Sequence, residues 1–431
     1  MIDIKLIRDN FAEVKKNVAR RGKPEHLKNL EELAKRDKEF RDIKPKVDGL
    51  RHRRNKISEE INQAKKNKNP VNKLIKEAKE IPEKLKELEQ KETKLQQEIK
   101  DLLMRVPNLI HDKVPNGKTE EDNVELRKWG KISKFNFPLK SHSELIEELG
   151  IGDFDAGREA AGQGFNYLLR ELAVLDNALQ RYGVDFLLER GFTLVVPPMM
   201  LNRNTLSGVV DLAAFHEVIY KIEGEDLYLI GTAEHSLVSM MKSKVIDYNK
   251  LPLRFCAVTP CFRKEIGGHG VDTKGIFRMH QFNKVEQVIY SKPEDSQKIL
   301  DEIQGITEKF FQSLNIPYRV IEICSGDLGG KFARQYDIEA WFPRQNSYKE
   351  VTSAANCTDY QARRLNIKYD KKGEREFVHI LNNTMVATSR AMVAILENYQ
   401  QKDGSVKIPD VLAPYMNGKK KLEKTRYREL C

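Results

Sequence analysis

The chain has no apolar run long enough to cross a bilayer, and its first residues, MIDIKLIRDN, carry neither the apolar core of a signal peptide nor the acid-poor character of a transit peptide. A protein of the cytoplasm, without a membrane partner, is the expectation. Cysteine is scarce. The five cysteines, Cys256, Cys261, Cys324, Cys357 and Cys431, form no C-x-x-C pair and no zinc-finger spacing with histidine. Free thiols in a reducing compartment and no zinc site follow. Also missing are a G-x-G-x-x-G after a strand and a G-x-x-x-x-G-K-[ST], so Rossmann and P-loop nucleotide sites are excluded.

What is present is charge. Of 431 residues 32% are charged against 40% hydrophobic, which suggests an ordinary globular part joined to a solvent-rich helical part. The net charge of +11 points to an anionic partner such as nucleic acid or phosphates. A soluble lysine-rich protein accounts for it equally.

The first hundred residues carry two apolar heptad seams. Leu33, Phe40, Ile43, Val47, Leu50, Ile57, Ile61 and Ala64 fall on alternating steps of three and four, with Arg36 and Arg54 at the remaining positions. Leu74, Ala78, Ile81, Leu85, Leu88, Leu95, Ile99 and Leu102 repeat the rhythm, broken at Glu92. KKNKNPVNK between them is turn chemistry, so two long helices are predicted to fold back as an antiparallel hairpin. Pro45 and Pro82 predict a bend or break in each helix, since an interior proline costs about 3 kcal/mol. Arg51, His52, Arg53, Arg54 and Lys56, then Lys65, Lys66 and Lys68, make the hairpin basic. They suit phosphates of a nucleic acid or a merely solvated face.

Two Val-Pro pairs, Val106-Pro107 and Val114-Pro115, and Asn116-Gly117 signal the end of an N-terminal domain, 1–110, and a linker, 111–135, before a larger domain, 136–431. There, GREAAGQGFNYLLRELAVLDNALQRYGVDFLLERG reads as a glycine turn and one long amphipathic helix that includes Leu168 and Leu169. FTLVVPPMM reads as a strand stopped by Pro197 and Pro198, and DLYLIGTAEHSL as a strand leading to a helix start at Thr232. RFCAVTPCFRKE, FRMHQFNKVEQVIY, YRVIEICSG, YDIEAWFP and SYKEVTSAAN read as further strands, and SQKILDEIQGITEKFFQSL as a helix. The class is α+β, with a mainly antiparallel sheet and flanking helices.

Three stretches in order then carry a resemblance. RGFTLVVPP, CFRKEIGGHGVDTKGIFRMHQF and NNTMVATSRAMVAILENYQ are similar to motifs 1, 2 and 3 of the class II aminoacyl-tRNA synthetases. With YLIGTAEHSL, KEVTSAAN and the N-terminal hairpin, the whole chain resembles the seryl-tRNA synthetases, and NNT with no long C-terminal extension resembles their archaeal members. The resemblance implies a homodimer built through motif 1, and an enzyme that activates L-serine with ATP and passes the seryl group to tRNA(Ser), with tRNA(Sec) a possible second acceptor.

It also implies residue roles. Arg263 would hold the α-phosphate, Glu265 read the adenine amino group, Phe282 stack on the ring and Arg390 clamp the far phosphate. Lys264, Met279, Val351 and Thr352 would complete the nucleotide pocket, and Glu350 with Ser353 would hold Mg²⁺. Arg263 and Glu265, two apart in a strand, would face the same way. Thr232, Ala233, Glu234, Glu286 and Thr384 would surround serine, with Thr384 bonding its hydroxyl. Arg51, Arg53 and Arg54 would meet tRNA, whose long variable arm the family's hairpin contacts. His269 and His280 read as structural residues, Cys256 and Cys261 as small core hydrophobes, and Lys419, Lys420, Lys421, Lys424, Arg426 and Arg428 as a solvated tail or a contact for RNA.

Overall fold

The computed structural model describes residues 1–210, 217–265 and 275–424. The chain forms two compact units, Met1–Leu109 and Ile110–Cys431.

In the first unit, short helices Ile4–Asp9 and Phe11–Ala19 precede two long ones, Pro24–Lys66 and Asn72–Arg105. Ile43, Val47, Leu85 and Leu95 form the buried seam, with Phe40, Leu50 and Leu88 packed against it. The break expected at the prolines does not occur: each helix runs through its proline without interruption. Pro45 and Pro82 lie on the solvent face, so water can serve the carbonyls they leave unpaired, while neighbours Ile43, Val47 and Ile81 stay packed. Glu92, the break in the heptad, is buried yet compensated by Lys44 at 3.1 Å and Arg51 at 3.6 Å from the other helix.

The second unit is built on an eight-stranded sheet. In spatial order the strands are Val124–Trp129, Tyr318–Glu322, Arg334–Phe342, Ser347–Asn356, His379–Ala387, Gln281–Ser291, Leu253–Phe262 and Thr193–Leu194. All neighbours are antiparallel except the last pair. The stretch 111–135 is therefore more than a connector. It supplies the edge strand Val124–Trp129, which reads as polar because five of its six residues are exposed.

FTLVVPPMM gives only the two-residue strand Thr193–Leu194, since the prolines remove the next ladder donors. The expected long helix is present but starts at Arg170, after Leu168 and Leu169, and runs to Leu188; a short helix, Phe154–Ala161, precedes the glycine turn. Gly162 and Gly164, at φ +99° and +85°, turn the chain between them, and Leu168 sits in the short strand Tyr167–Leu168.

Period-two alternation divides the Gln281–Ser291 strand between two faces. Val285 and Ile289 join the large core under the helices Arg170–Leu188, Ser296–Ser313 and Thr388–Tyr399. Phe282, Lys284 and Glu286 face the opposite way, onto a cavity.

Candidate active site

The cavity has a volume of about 330 Å³ and lies over the strands Leu253–Phe262, Gln281–Ser291, Ser347–Asn356 and His379–Ala387. One end is a buried polar cluster. Glu286 stands opposite Thr384 in the strand register. Thr232 Oγ1 donates to Glu286 Oε2 at 3.0 Å, Lys284 forms an ion pair with the same carboxylate, and Lys284 Nζ donates to Thr384 Oγ1 at 3.3 Å. Thr232 also caps the helix Ala233–Ser239, its hydroxyl accepting from the Glu234 backbone at 3.2 Å. Glu234 Oε1 accepts from Lys331 Nζ at 2.5 Å and Gln361 Nε2 at 2.8 Å. Burial alone would raise its pKa, but Lys331 outweighs burial and holds it at about 2. Burial pushes the neighbouring His235 down to about 3, so at neutral pH it is an uncharged ring.

The other end is charged and more open. Arg263 and Glu265 both line the cavity, though not as strand neighbours, because the strand ends at Phe262. Arg263 is placed by its backbone bond to the His280 carbonyl, 2.9 Å, and by Nε donating to the Gly231 carbonyl, 3.0 Å. Its guanidinium lies 5.5 Å from the centre of the Phe282 ring. Arg278 donates to Glu265 at 2.9 Å. Arg390 donates to the Glu350 carbonyl at 3.0 Å and pairs with its carboxylate at 3.1 Å. Ser353 accepts from Gln335 at 3.1 Å. Next to Ser353 in the register, Asp337 is raised to about 8 by burial and the nearby Glu350 charge.

Of the residues singled out in the sequence, the cavity gathers Thr232, Glu234, Arg263, Glu265, Met279, Phe282, Glu286, Glu350, Val351, Thr352, Ser353, Thr384 and Arg390. Ala233 and Lys264 do not line it: Ala233 is fully buried, and the Lys264 ammonium sits 5.5 Å over the Tyr220 ring. Sequence reasoning assigned no role to Lys284, Lys331, His235 or Arg278, which do line it. Lys284 was legible, since it lies two residues from Glu286 and must share its face. Lys331 sits in a loop with no periodicity to point at it.

His280 bonds Tyr220 and stacks on Phe165 at 5.0 Å, a structural setting. His269 lies outside the described residues. Both cysteines are fully buried, Cys256 in the large apolar core and Cys261 against Thr259 near the Lys284, Arg263 and Glu286 charges, and burial pushes both thiols up. The C-terminal segment is docked as far as it is described. Lys421–Leu422 pairs with Val406–Lys407, Leu422 is buried and Lys419 pairs with Glu171. Arg426, Arg428 and Cys431 lie outside the described residues. Among the described residues no helix is long and apolar enough to cross a membrane.

An antiparallel sheet carrying a cavity with an open arginine-lined end and a buried polar end is the architecture of a class II aminoacyl-tRNA synthetase core. Residues 218–399 match the family described as tRNA synthetase class II core domain (G, H, P, S and T), and residues 1–110 match the Seryl-tRNA synthetase N-terminal domain. The chain is 48% identical to the serine–tRNA ligase of Methanocella arvoryzae over 97% of this chain and 99% of that one. Its fold matches the seryl-tRNA synthetase of Pyrococcus horikoshii complexed with ATP at a TM-score of 0.95, with 46% identity, covering 99% and 100% of the two chains. It matches the cytoplasmic serine–tRNA ligase of Naegleria fowleri in complex with AMP at 0.89, with 34% identity and 99% of both chains covered. The chain belongs to the seryl-tRNA synthetase family.

Proposed function

We propose that this chain activates L-serine with ATP to seryl-adenylate and transfers the seryl group to the 3′ end of tRNA(Ser). The observation that carries the reading is the single cavity joining the Thr232–Glu286–Lys284–Thr384 cluster to Arg263, Phe282 and Arg390. Serine brings an ammonium and a hydroxyl, and Glu286 and Thr384 are the groups suited to accept from and bond to them. Alanine leaves those buried polar groups unpaired, which a site of this kind rejects strongly. Phe282 and Glu265 take the adenine. Arg263 and Arg390 take the phosphates, so that the serine carboxylate attacks the α-phosphorus in line and pyrophosphate leaves. The side chains position the reactants and stabilise developing charge, and none of them forms a covalent intermediate.

The donor set at the phosphate end suits a hard divalent cation, since Glu350 offers a carboxylate and Ser353 a hydroxyl. These two residues would hold Mg²⁺ accompanying ATP, and the ion would neutralise phosphate charge there.

For tRNA, the hairpin offers Arg54, which is exposed. Arg51 and Arg53 already brace the two helices through Glu89 at 2.9 Å and Glu77 at 2.6 Å, so their contact with phosphates requires sharing those carboxylates. A homodimer through the motif 1 region is favoured by its exposed apolar side chains, Leu194, Val196, Met199 and Met200, with Val196 87% exposed.

The test is amino-acid-dependent ATP–pyrophosphate exchange with each of the twenty amino acids. Serine alone is expected to support exchange, and Arg263→Ala to abolish it. Exchange with threonine but not serine would overturn the reading.

A further inference from the structure

Behind the nucleotide end lies a buried pair that the proposed chemistry does not use. His142 is 4% exposed and neither ring nitrogen has a hydrogen-bond partner. Its Nδ1 stands 3.6 Å from Glu397 Oε1, itself fully buried and unbonded, while Glu397 Oε2 accepts from the Arg344 backbone at 3.2 Å. His142 opens the helix His142–Leu149, whose start is fixed by a capping box between Ser141 and Glu144. The ring is therefore held, not free to swing away.

What the ring faces is Gly275. A Cβ at that position would come within 2.1 Å of His142 Nε2, and the backbone has φ +114°. The Gly275 carbonyl accepts from Asn166 Nδ2 at 3.0 Å. Immediately after it, Ile276 is fully buried, and Phe277 packs edge-on against Phe342 at 5.5 Å. The guanidinium of Arg390 lies 5.3 Å over the Phe277 ring. Arg390 and Glu397 belong to one helix, Thr388–Tyr399, seven residues apart and so on nearly the same side. The chain of contacts therefore closes on itself: Arg390, Phe277, Gly275, His142, Glu397, and back to Arg390 along the helix.

We propose that His142 is a positioning residue for nucleotide binding, seating Gly275 so that Phe277 supports Arg390 in the cavity. The proposal rests on the reading of this cavity as the ATP site. It assigns His142 no contact with substrate and no proton transfer. Its function is to be an incompressible wall, aligned by Glu397, against which the one residue without a side chain can be placed.

The test uses the full chain and steady-state ATP–pyrophosphate exchange, with thermal unfolding recorded for every variant. Gly275→Ala forces its methyl against the ring. It is expected to raise KM for ATP about tenfold and to leave KM for serine within about twofold, as a misplaced phosphate clamp would. In the double variant with His142→Ala the clash is gone and only the backbone strain remains, so KM for ATP is expected to return to within about threefold of the parent. His142→Ala alone is expected to raise KM for ATP about threefold with serine unaffected, and it decides the matter if Gly275→Ala does not fold. Additive effects in the double variant, or KM for both substrates moving together, would overturn the proposal. A parent protein without serine-dependent exchange would instead overturn the reading of the cavity.

Discussion

At the scale of single residues, the polar end of the cavity, proposed to take serine, is a closed set of partners. Removing one hydroxyl has a defined consequence. Thr384→Val keeps the shape and deletes the acceptor of Lys284. KM for serine in pyrophosphate exchange is expected to rise about tenfold or more while alanine is little affected, so discrimination between the two falls. An unchanged ratio would remove Thr384 from the specificity set. Glu234 makes a different prediction, one of stability. Its carboxyl sits at about 2, below the ordinary 4.5, because Lys331 outweighs the cost of burial. A depressed folded-state pKa contributes stability that is fully present above pH 4.5 and lost as pH falls towards 2. Glu234→Gln is therefore expected to cost about 1–3 kcal/mol at neutral pH, with the gap from the parent narrowing in acid. Denaturant unfolding at pH 7 and pH 3 measures both.

At the scale of elements, the hairpin arm and the active-site strands were legible to different degrees, for physical reasons. Heptad spacing predicted both arm helices because their stability comes from one seam, and Leu33, Ile43, Val47, Ile57, Ile81, Leu85 and Leu95 of the predicted seams are buried. The prolines do not break the helices because propensity is local. On the solvent face a lost hydrogen bond is tolerable when the opposite face is packed. FRMHQFNKVEQVIY read as a strand, and the strand Gln281–Ser291 begins within it, with Phe282 and Glu286 on the face that lines the cavity. Arg263 and Glu265, expected as strand neighbours facing one way, do line the same cavity, but from just beyond the strand's end at Phe262, where backbone bonds to His280 and Val218 set the chain's course. Lys331 was invisible, because a loop brings it to Glu234 across 97 residues. For the arm itself, excising its distal part and closing the helices with a short turn is expected to leave serine-dependent exchange intact. The same excision should lower kcat/KM for tRNA by roughly 100-fold, as lost phosphate contacts would. Normal tRNA charging by the shortened protein would contradict the arm's proposed role.

At the scale of the whole molecule, the two units divide the work proposed here: amino-acid activation in the sheet domain, tRNA capture on the hairpin. The exposed apolar side chains around Val196 belong to neither task and fit the homodimer proposed above. Val196→Asp is expected to shift the protein towards monomer in sedimentation. A parent protein that is already monomeric at micromolar concentration would contradict the dimer.

The claim on which the account turns is that serine and ATP meet in this one cavity. A crystal structure with a non-hydrolysable seryl-adenylate analogue tests it most directly. The serine hydroxyl is expected within hydrogen-bond reach of Thr384 or Glu286, and the adenine stacked on Phe282. An analogue bound elsewhere, with those side chains unengaged, would contradict it.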